Sequence, residues 1–523
     1  MYAILRLALP VFATAGAYVL LQVAQFLFRD LCSPLRKLVG PKSPSFVWGN
    51  VKEMEDDARI TYRWRNTFGA TFQFKGLFNV TRELYTIDTM AINHITKDNS
   101  IYQKLARNAK DGLLGVDGDA HRRQAGLLAR ELVSRANANL AETNYAFGSA
   151  QIHNLTEVFL EKSVEVIILD FAWMERNVTT LLKLRDVWTR KIGDECKPTR
   201  IDVFEWLSKA TLDVIGQAGK FLCFDYHLDS LNPDRKPNDI HDSFNKLFHS
   251  PNVSRQTTLR MMQRSILLLR IVPLPGRKVF NDTRSKLFTL GNKLLVEGKA
   301  GINAAGGSKA VSGSRDLFSL VLRANMSTDI SDDRRMSDDE VIGQFPTFFV
   351  AGHATTSSAI SWALHALSKN QCAQAKLREE LLTVATENPT LDELNSLQYL
   401  DSVSRTSFAS LSWMISYPLA TPCLDTQGRK LTSLPIRKGQ RIRIPISDVN
   451  MDTTLWGDDA VEFRPERWQQ IPKTAEAIPG VWGNMLTFLA GPYNCIGFRF
   501  ALAEQKVLLF VLIRAFEFER ARF

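Results

Sequence analysis

A single cysteine near the carboxyl end, placed at the start of a predicted helix, constrains this chain more than any other feature. The helix-forming and apolar residues of Phe498–Phe510 predict a helix, and Cys495 lies just before it. Unpaired backbone N–H groups and the positive end of a helix dipole favour the thiolate form of a cysteine in that position. Gly491 and Gly497 flank Cys495 and allow the backbone to approach a flat group closely.

Two interpretations of Cys495 stay open on these residues alone. A thiolate held in this way suits a soft metal or a haem iron. A free cysteine ahead of a core helix is also commonly a small buried apolar residue with no chemical role. The local residues do not decide between a ligand and a core position.

The wider motif adds a resemblance. The stretch from Phe488 to Glu504 resembles the haem-binding signature of the cytochrome P450 family, Phe-x-x-Gly-x-Arg-x-Cys-x-Gly followed by Ala-x-x-Glu. The residues of this stretch are similar in particular to those of fungal microsomal members. The arginine position holds Tyr493 instead. The positions that match are Phe488, Gly491, Cys495, Gly497, Ala501 and Glu504. The resemblance implies a mainly α-helical fold with small β-sheets, and haem b with Cys495 as the axial thiolate ligand of the iron. It also implies that Phe488, Gly491 and Gly497 belong to the cofactor site.

Composition narrows the class of protein. The 523 residues, 45 % of them hydrophobic, are enough for a sizeable core. Six cysteines are widely scattered and form neither a disulfide framework nor a zinc spacing, which is typical of a reducing compartment. The net charge of +10 fits an anionic lipid surface or an acidic protein partner. No basic run is interleaved with aromatic residues, so we expect no nucleic-acid partner.

The amino terminus predicts a membrane anchor. The uncharged run from Leu7 to Phe28 is long enough to cross a bilayer core of about 30 Å. A cleaved signal peptide is the competing interpretation, but the run is long for one and has no convincing small-residue cleavage site. Arg29, Arg36 and Lys37 follow the run, and this basic excess places the remainder in the cytoplasm. We therefore predict a single-pass anchor in the endoplasmic reticulum membrane over residues 1–30, a hinge over 31–45 and a cytoplasm-facing haem domain over 46–523.

The body of the chain reads as mostly helical. Residues 71–76 and 83–87 alternate enough to predict two short paired strands. Apolar residues at three-to-four spacing predict helices through most of 138–288, and residues 301–314 read as a surface linker. His121 opens another predicted helix, where the family resemblance implies that His121 and either Arg122 or Arg123 bind a haem propionate. A solvated helix start is the competing interpretation of that cluster.

A long helix is predicted after Ser337, which with Glu340 forms a capping box. It contains Ala-Gly-His-Ala-Thr-Thr, which resembles the family's oxygen-binding motif and implies a catalytic role for Gly352, Thr355 and Thr356. Gly352 would offer a bare backbone patch, and the two threonines would bond back to the preceding turn and open the helix locally. The motif's acid is replaced by Ala354, and Pro346 is expected to kink the helix.

Other family positions also differ in this chain. The glutamate and the arginine of the family's Glu-x-x-Arg pair are replaced by Thr406 and Ala409. The separate arginine that contacts this pair in the family pattern is present as Arg467. We predict that Arg467 stays near its family position with its charge under-compensated. The chain stops at Phe523, where the family usually continues with about one more hairpin.

The resemblance implies a haem-thiolate monooxygenase that takes electrons from NADPH–cytochrome P450 reductase and hydroxylates an apolar small molecule. Secondary metabolism is the preferred setting, with terpenoids ahead of other substrates. The replaced residues favour an alternative, a catalytically impaired relic that binds haem or lipid. A haem-thiolate isomerase or dehydratase that needs no dioxygen is a third interpretation.

Overall fold

The protein is described from a computed structural model. The structure describes residues 16–17, 21, 33–57, 59–79, 81–98, 101–102, 116, 120–121, 123–125, 171–193, 198–218, 229–232, 263, 277–304, 321–322, 325–326, 335–409, 414–415, 423–424, 427, 429–431, 433–437 and 439–521. The chain divides into two units. A sheet unit contains Met1–Tyr102, Ser412–Val461 and Ile471–Tyr493, and a helical unit contains Gln103–Leu411, Glu462–Gln470 and Asn494–Phe523.

The described elements follow one another in a mainly helical order. The helices are α1 Val51–Asp56, α2 Ile60–Phe68, α3 Thr89–Lys97, α4 Phe171–Ile192, α5 Val203–Ala218, α6 Arg277–Ala304, α7 Asp338–Lys369, α8 Gln371–Leu382, α9 Leu391–Ser396, α10 Gln398–Ala409, α11 Ile446–Asn450, α12 Thr453–Trp456, α13 Lys473–Glu476 and α14 Phe498–Ala515. The strands are β1 Thr71–Lys75, β2 Arg82–Thr86, β3 Met414–Ile415, β4 Cys423–Leu424, β5 Lys430–Leu431 and β6 Ile442–Pro445. Short 3₁₀ turns cover Pro34–Lys37, Leu77–Asn79, Pro465–Gln469 and Gly491–Tyr493. The predicted mainly α fold with small sheets is confirmed.

The sheet unit is built on a four-stranded sheet in the order β1-β2-β6-β3, with β4 and β5 forming a second pair. β1 and β2 are antiparallel with Thr71 opposite Thr86, which confirms the predicted strand pair. Phe72 of β1 stacks on Tyr85 of β2 with ring centroids 4.3 Å apart. This cross-strand aromatic contact adds to the stability that burial of both rings gives.

The helical unit packs around α14, which is buried along most of its length. One core cluster joins α14 to α4, α5, α7, α8 and α10, with Trp188, Leu364, Leu400 and Phe510 among its fully buried members. A helix that is apolar on nearly all sides is stable only inside such a core. The sequence pattern therefore predicted α14 correctly, and the packing shows why it runs to Ala515 rather than ending at Phe510.

One detail of the helical prediction needs correction, and the kink expected at Pro346 stays a prediction. Residues 301–304 of the linker predicted over residues 301–314 belong to α6, which continues to Ala304, and residues 305–314 lie outside the described part of the chain. Pro346 lies inside α7, and the helix continues on both sides of it. The missing N–H of Pro346 removes one backbone bond, which the packing of α7 against α5 and α6 tolerates.

Among the residues that the structure describes, no helix is both long and apolar enough to cross a membrane. The predicted anchor, with its uncharged run from Leu7 to Phe28, lies almost entirely outside those residues.

Candidate active site

Cys495 lies in the short loop that leads into α14. Gly497 is the N-cap residue of α14, and the Cys495 carbonyl accepts a hydrogen bond of 3.4 Å from the N–H of Phe498. The thiol therefore lies beside the first turn of the helix, as the sequence predicted. Its position is set by the glycine cap and by the buried apolar face of α14 behind it.

The helix start predicts a lowered pKa for the Cys495 thiol, and the structure gives a raised one. Burial raises the pKa of Cys495, and a hydrogen bond from the Gly497 N–H lowers it by a smaller amount. The side chain is nevertheless exposed to solvent. An added positive charge beside the sulfur would stabilise the thiolate against the effect of burial. This donor fits an iron ion as its partner.

The glycines near Cys495 have different environments. No atom lies within 4 Å of a Cβ placed on Gly497, so the space beside the thiol loop is open to a flat group. Gly491 has φ +60°, and a Cβ there would lie 2.0 Å from the Thr96 carbonyl oxygen. A glycine is thus required at 491 by its own backbone and by the contact with α3. Phe488 is buried, with its ring edge-on to Trp482 at 5.9 Å. A cofactor-binding role for these residues stays a prediction.

The helix α7 begins as predicted. The Ser337 hydroxyl accepts a hydrogen bond from the Glu340 N–H, and the Glu340 carboxylate accepts one from the Ser337 N–H. Further along, a Cβ on Gly352 would lie 2.7 Å from Cδ1 of Ile215 in α5. Gly352 therefore lets α5 and α7 approach each other, and the bare backbone patch expected there is filled by Ile215.

An accessible strip of small residues interrupts the buried surface of α7. Ala351 is exposed, and Ala354 and Thr355 are half-buried, although His353 and Thr356 beside them are 2 % exposed. Positions 351, 354 and 355 share one helix face because they are three and four residues apart. The Thr355 hydroxyl donates a hydrogen bond to the Ala351 carbonyl, so its oxygen lone pairs remain available on the strip. The replaced acid, Ala354, would have stood on this same face.

Thr356 does not belong to the strip. It is buried against α14, where its hydroxyl is the polar neighbour of Glu504 and lowers the pKa of that carboxyl. Burial has the larger effect and raises the pKa of Glu504 well above its usual range. The local opening predicted at the two threonines is absent from α7, which stays α-helical throughout Asp338–Lys369.

A polar contact between α5 and α7 was not found from the sequence. The Ser208 hydroxyl lies 2.7 Å from Nε2 of His353, and the Thr211 hydroxyl donates to the His353 carbonyl at 3.2 Å. Both residues of the first contact are almost fully buried. The contact fixes the direction of His353 away from the strip, and no local sequence signal indicates it because the partners are 145 positions apart.

The predicted propionate-binding residues are only partly described. His121 is buried, at 4 % exposure, in a helical segment, and Arg122 lies outside the described residues. Arg123 forms an ion pair with Glu340, and Gln124 donates to the same carboxylate at 3.2 Å. Arg123 is thereby directed to the start of α7, and its assignment as a propionate ligand stays a prediction. Binding of a propionate by His121 stays a prediction.

Comparison with known proteins identifies the family. The cytochrome P450 family profile matches residues 178–522. The chain belongs to the cytochrome P450 family. A cytochrome P450 monooxygenase of Postia placenta, numbered 205, is 39 % identical over 511 residues, covering 94 % of this chain and 87 % of the relative. Monooxygenase 128 of the same fungus is 37 % identical and covers 97 % and 90 %, and a ganoderic acid synthetase of Ganoderma lucidum is 28 % identical and covers 93 % and 88 %.

Membership confirms the fungal P450 resemblance and the oxidoreductase class. The cofactor is haem, whose iron is held by a cysteine thiolate in this family, and Cys495 is the residue that matches that position. A redox partner that supplies electrons and an organic substrate follow from the same membership. The accessible sulfur, the open space at Gly497 and the strip on α7 are features that a haem site of this kind requires.

Proposed function

We propose that this cytochrome P450 hydroxylates an apolar small molecule of fungal secondary metabolism, with terpenoids as the first class to test. The observation that carries the proposal is the accessible strip of Ala351, Ala354 and Thr355 on α7, beside the buried His353 and Thr356. The alanine methyl groups of the strip can contact an apolar substrate, and the Thr355 hydroxyl adds a polar atom to the same face. The name of one relative, the ganoderic acid synthetase of Ganoderma lucidum, supports a setting in secondary metabolism.

The side chains have separate tasks in this proposal. Cys495 holds the iron, and haem supplies dioxygen activation when it is bound. Thr355 accepts a hydrogen bond at Oγ1, because its own proton is committed to the Ala351 carbonyl. Ala354 holds no proton, so protons must reach Thr355 through water on the strip. The close contact between Gly352 and Ile215 packs an adjoining face of α7 against α5.

NADPH–cytochrome P450 reductase is the proposed electron donor, and the endoplasmic reticulum membrane is the proposed location. The uncharged run Leu7–Phe28 and the basic residues after it support a single-pass anchor with the catalytic domain facing the cytoplasm. Deletion of Met1–Arg29 is expected to move much of the protein to the soluble fraction. Glycan addition at the sequons of Asn154 or Asn252 in cells would contradict this orientation.

A second candidate function is a relic that binds haem or lipid with little turnover. The loss of the acid at Ala354, beside Thr355, favours it. The two functions are separated by one experiment on the haem-loaded protein with reductase, NADPH and a panel of terpenoids. Oxygen from isotopically labelled dioxygen appearing in a product supports the monooxygenase. A thiolate-type reduced CO spectrum with no labelled product from any apolar substrate class supports the relic.

A further inference from the structure

The α10 helix lacks the Glu-x-x-Arg pair of its family. Thr406, which stands at the position of the glutamate, nevertheless has a polar contact. Thr406 is 4 % exposed, and its Oγ1 accepts a hydrogen bond of 2.9 Å from Nε1 of Trp468. The same hydroxyl donates to the Ser402 carbonyl at 2.8 Å. A threonine hydroxyl that both donates and accepts leaves no buried polar group unsatisfied at this point.

Trp468 lies in the 3₁₀ turn Pro465–Gln469. Glu466 provides a second contact between this turn and the neighbouring helices. The Glu466 carboxylate forms an ion pair of 3.0 Å with Lys376 of α8. It also lies beside the hydroxyl of Tyr399, the second residue of α10, and burial together with this carboxylate raises the pKa of Tyr399. The turn is therefore held to α8 and α10 by the residues on either side of Arg467.

Arg467 itself is only partly buried. Its guanidinium donates to the Glu462 carbonyl at 3.2 Å, and the side chain is half-exposed. Its predicted place near the family position, with the charge under-compensated, stays a prediction. A half-exposed guanidinium is solvated, so it does not impose the desolvation penalty of an unpaired buried ion.

α10 is also linked to the cysteine helix. Asp401 accepts a hydrogen bond of 2.7 Å from Arg405 and forms an ion pair of 3.0 Å with Lys506 of α14. The Arg405 guanidinium lies 5.8 Å from the ring centre of Trp468, within the range of a cation–π contact. Arg405 therefore joins the Trp468 contact on one side of α10 to the Asp401–Lys506 contact on the other.

We propose that the Trp468–Thr406 contact, supported by Glu466, is an indole clamp that replaces the family's charged pair and positions α10, and through it α14 and Cys495, for haem retention. The indole clamp is defined by Thr406, Glu466 and Trp468. Its physical advantage is that a neutral hydrogen bond and an apolar ring fill the space without burying two charges. Trp468 and Thr406 are positioning residues, since they act on the haem ligand through α10 and α14.

The test compares conservative variants of the clamp with a matched control. Thr406→Val removes the acceptor, and Trp468→Phe removes the donor while keeping a ring against Arg405. Thr406→Ser keeps the hydroxyl. Ser407→Ala is the control, because Ser407 is a buried hydroxyl on the same helix that donates a hydrogen bond of 2.8 Å to the Val403 carbonyl within α10.

The readouts are haem per protein, the rate of haem loss, the thermal midpoint and the proportion of thiolate-type to thiol-type reduced CO band. Haem content, haem loss and the CO spectrum are recorded at a temperature well below the thermal midpoint of each variant. Thr406→Val and Trp468→Phe are each expected to raise haem loss about 3- to 10-fold and to increase the thiol-type band. The double variant is expected to add little to either single change, because both remove the same bond. Thr406→Ser and Ser407→Ala should retain haem.

Three results would overturn the proposal. Haem loss in Thr406→Val or Trp468→Phe no faster than in Ser407→Ala would remove the clamp's special role. Full additivity in the double variant would show that the two residues act independently. Thr406→Glu with Ala409→Arg restores the family pair and is expected to lower haem retention, since the larger charged side chains must displace the indole. Improved retention in that variant would restore the family role of Arg467 instead.

Discussion

Replacement of Glu504 by methionine is expected to stabilise this protein, because its carboxyl is buried with almost no polar support. Glu504 is 1 % exposed, and neither carboxyl oxygen has a hydrogen bond of normal geometry. The Thr356 hydroxyl is close enough to lower the pKa of Glu504, but burial raises the pKa far more. Burial therefore favours the protonated, neutral form of Glu504.

The size of the effect follows from the unsatisfied group. A buried polar group without a partner destabilises the folded state by about 1–3 kcal/mol, and an apolar side chain of the same length removes that penalty. We expect Glu504→Met to raise the free energy of unfolding by about 1–3 kcal/mol at neutral pH. Glu504→Gln keeps the shape and the polarity but cannot titrate, so it separates the two contributions.

The sign of the pH dependence is also determined. An unfolded glutamate loses its proton near pH 4.3, whereas the buried carboxyl keeps it to a much higher pH, so the folded state binds more protons between those two values. Stability of the native protein relative to Glu504→Gln must therefore fall as pH rises from the unfolded pKa to the folded pKa, and then level off. Charged groups on α14 and on the helices packed against it have partners elsewhere in the helical unit. These groups are Lys506 with Asp401 and Asn395, Arg378 with the Ile513 and Phe516 carbonyls, Arg185 with Asp186 and Glu387, and Arg514 with the Thr386 carbonyl.

The assay is chemical unfolding of the haem-loaded protein and both variants at a series of acidic to neutral pH values. The advantage of Glu504→Met and of Glu504→Gln over the native protein should increase with pH. A methionine variant less stable than the native protein at neutral pH would show that the carboxyl has a stabilising partner. A difference that does not change with pH would show that Glu504 has an ordinary pKa.

Four other substitutions test the site and its support. Cys495→Ser should abolish the thiolate-type band of the reduced CO spectrum, and survival of that band would remove Cys495 as the ligand. Ala354→Glu should raise the product formed per NADPH consumed, because a carboxyl beside Thr355 can deliver protons, an effect of about 10²–10⁴ in rate where such an acid is fully effective. An unchanged ratio with a known substrate would mean that water already supplies them. Asp401→Asn should destabilise the protein by about 3–5 kcal/mol, since it leaves Lys506, with a side chain 7 % exposed, without its counter-charge. Lys506→Met should have a much smaller effect, because Asp401 keeps Arg405 and is 28 % exposed, and equal losses in urea unfolding would contradict this order.

Several features could be predicted because their signals lie within a few residues. The Ser337–Glu340 capping box, the β1–β2 pair and the start of α14 after Gly497 each depend on near neighbours. Cys495 was found in the same way, from a glycine-flanked cysteine ahead of an apolar helix. The shared helix face of Ala351, Ala354 and Thr355 could also be predicted from the sequence, since positions three and four apart on a helix share a face.

The differences between the expected and the observed surroundings share a cause as well. Arg467 and Arg123 were placed by their position in a motif, which gives the location of the backbone but not the direction of the side chain. In the structure Arg123 meets Glu340, 217 positions away, and Trp468, the neighbour of Arg467, meets Thr406 across 62 positions. The acidity of Cys495 was judged from the helix dipole alone, and the burial that outweighs it depends on the whole surrounding fold.

The sequence by itself therefore determined the family and the elements whose caps and periodicity are local, and it predicts Cys495 as the haem ligand. Only the tertiary structure decided which polar groups became partners: His353 with Ser208, Asp401 with Lys506, and Trp468 with Thr406. The physical reason is that a buried polar group must find whichever partner the packing brings within about 3 Å, and that partner is chosen by the fold of distant segments.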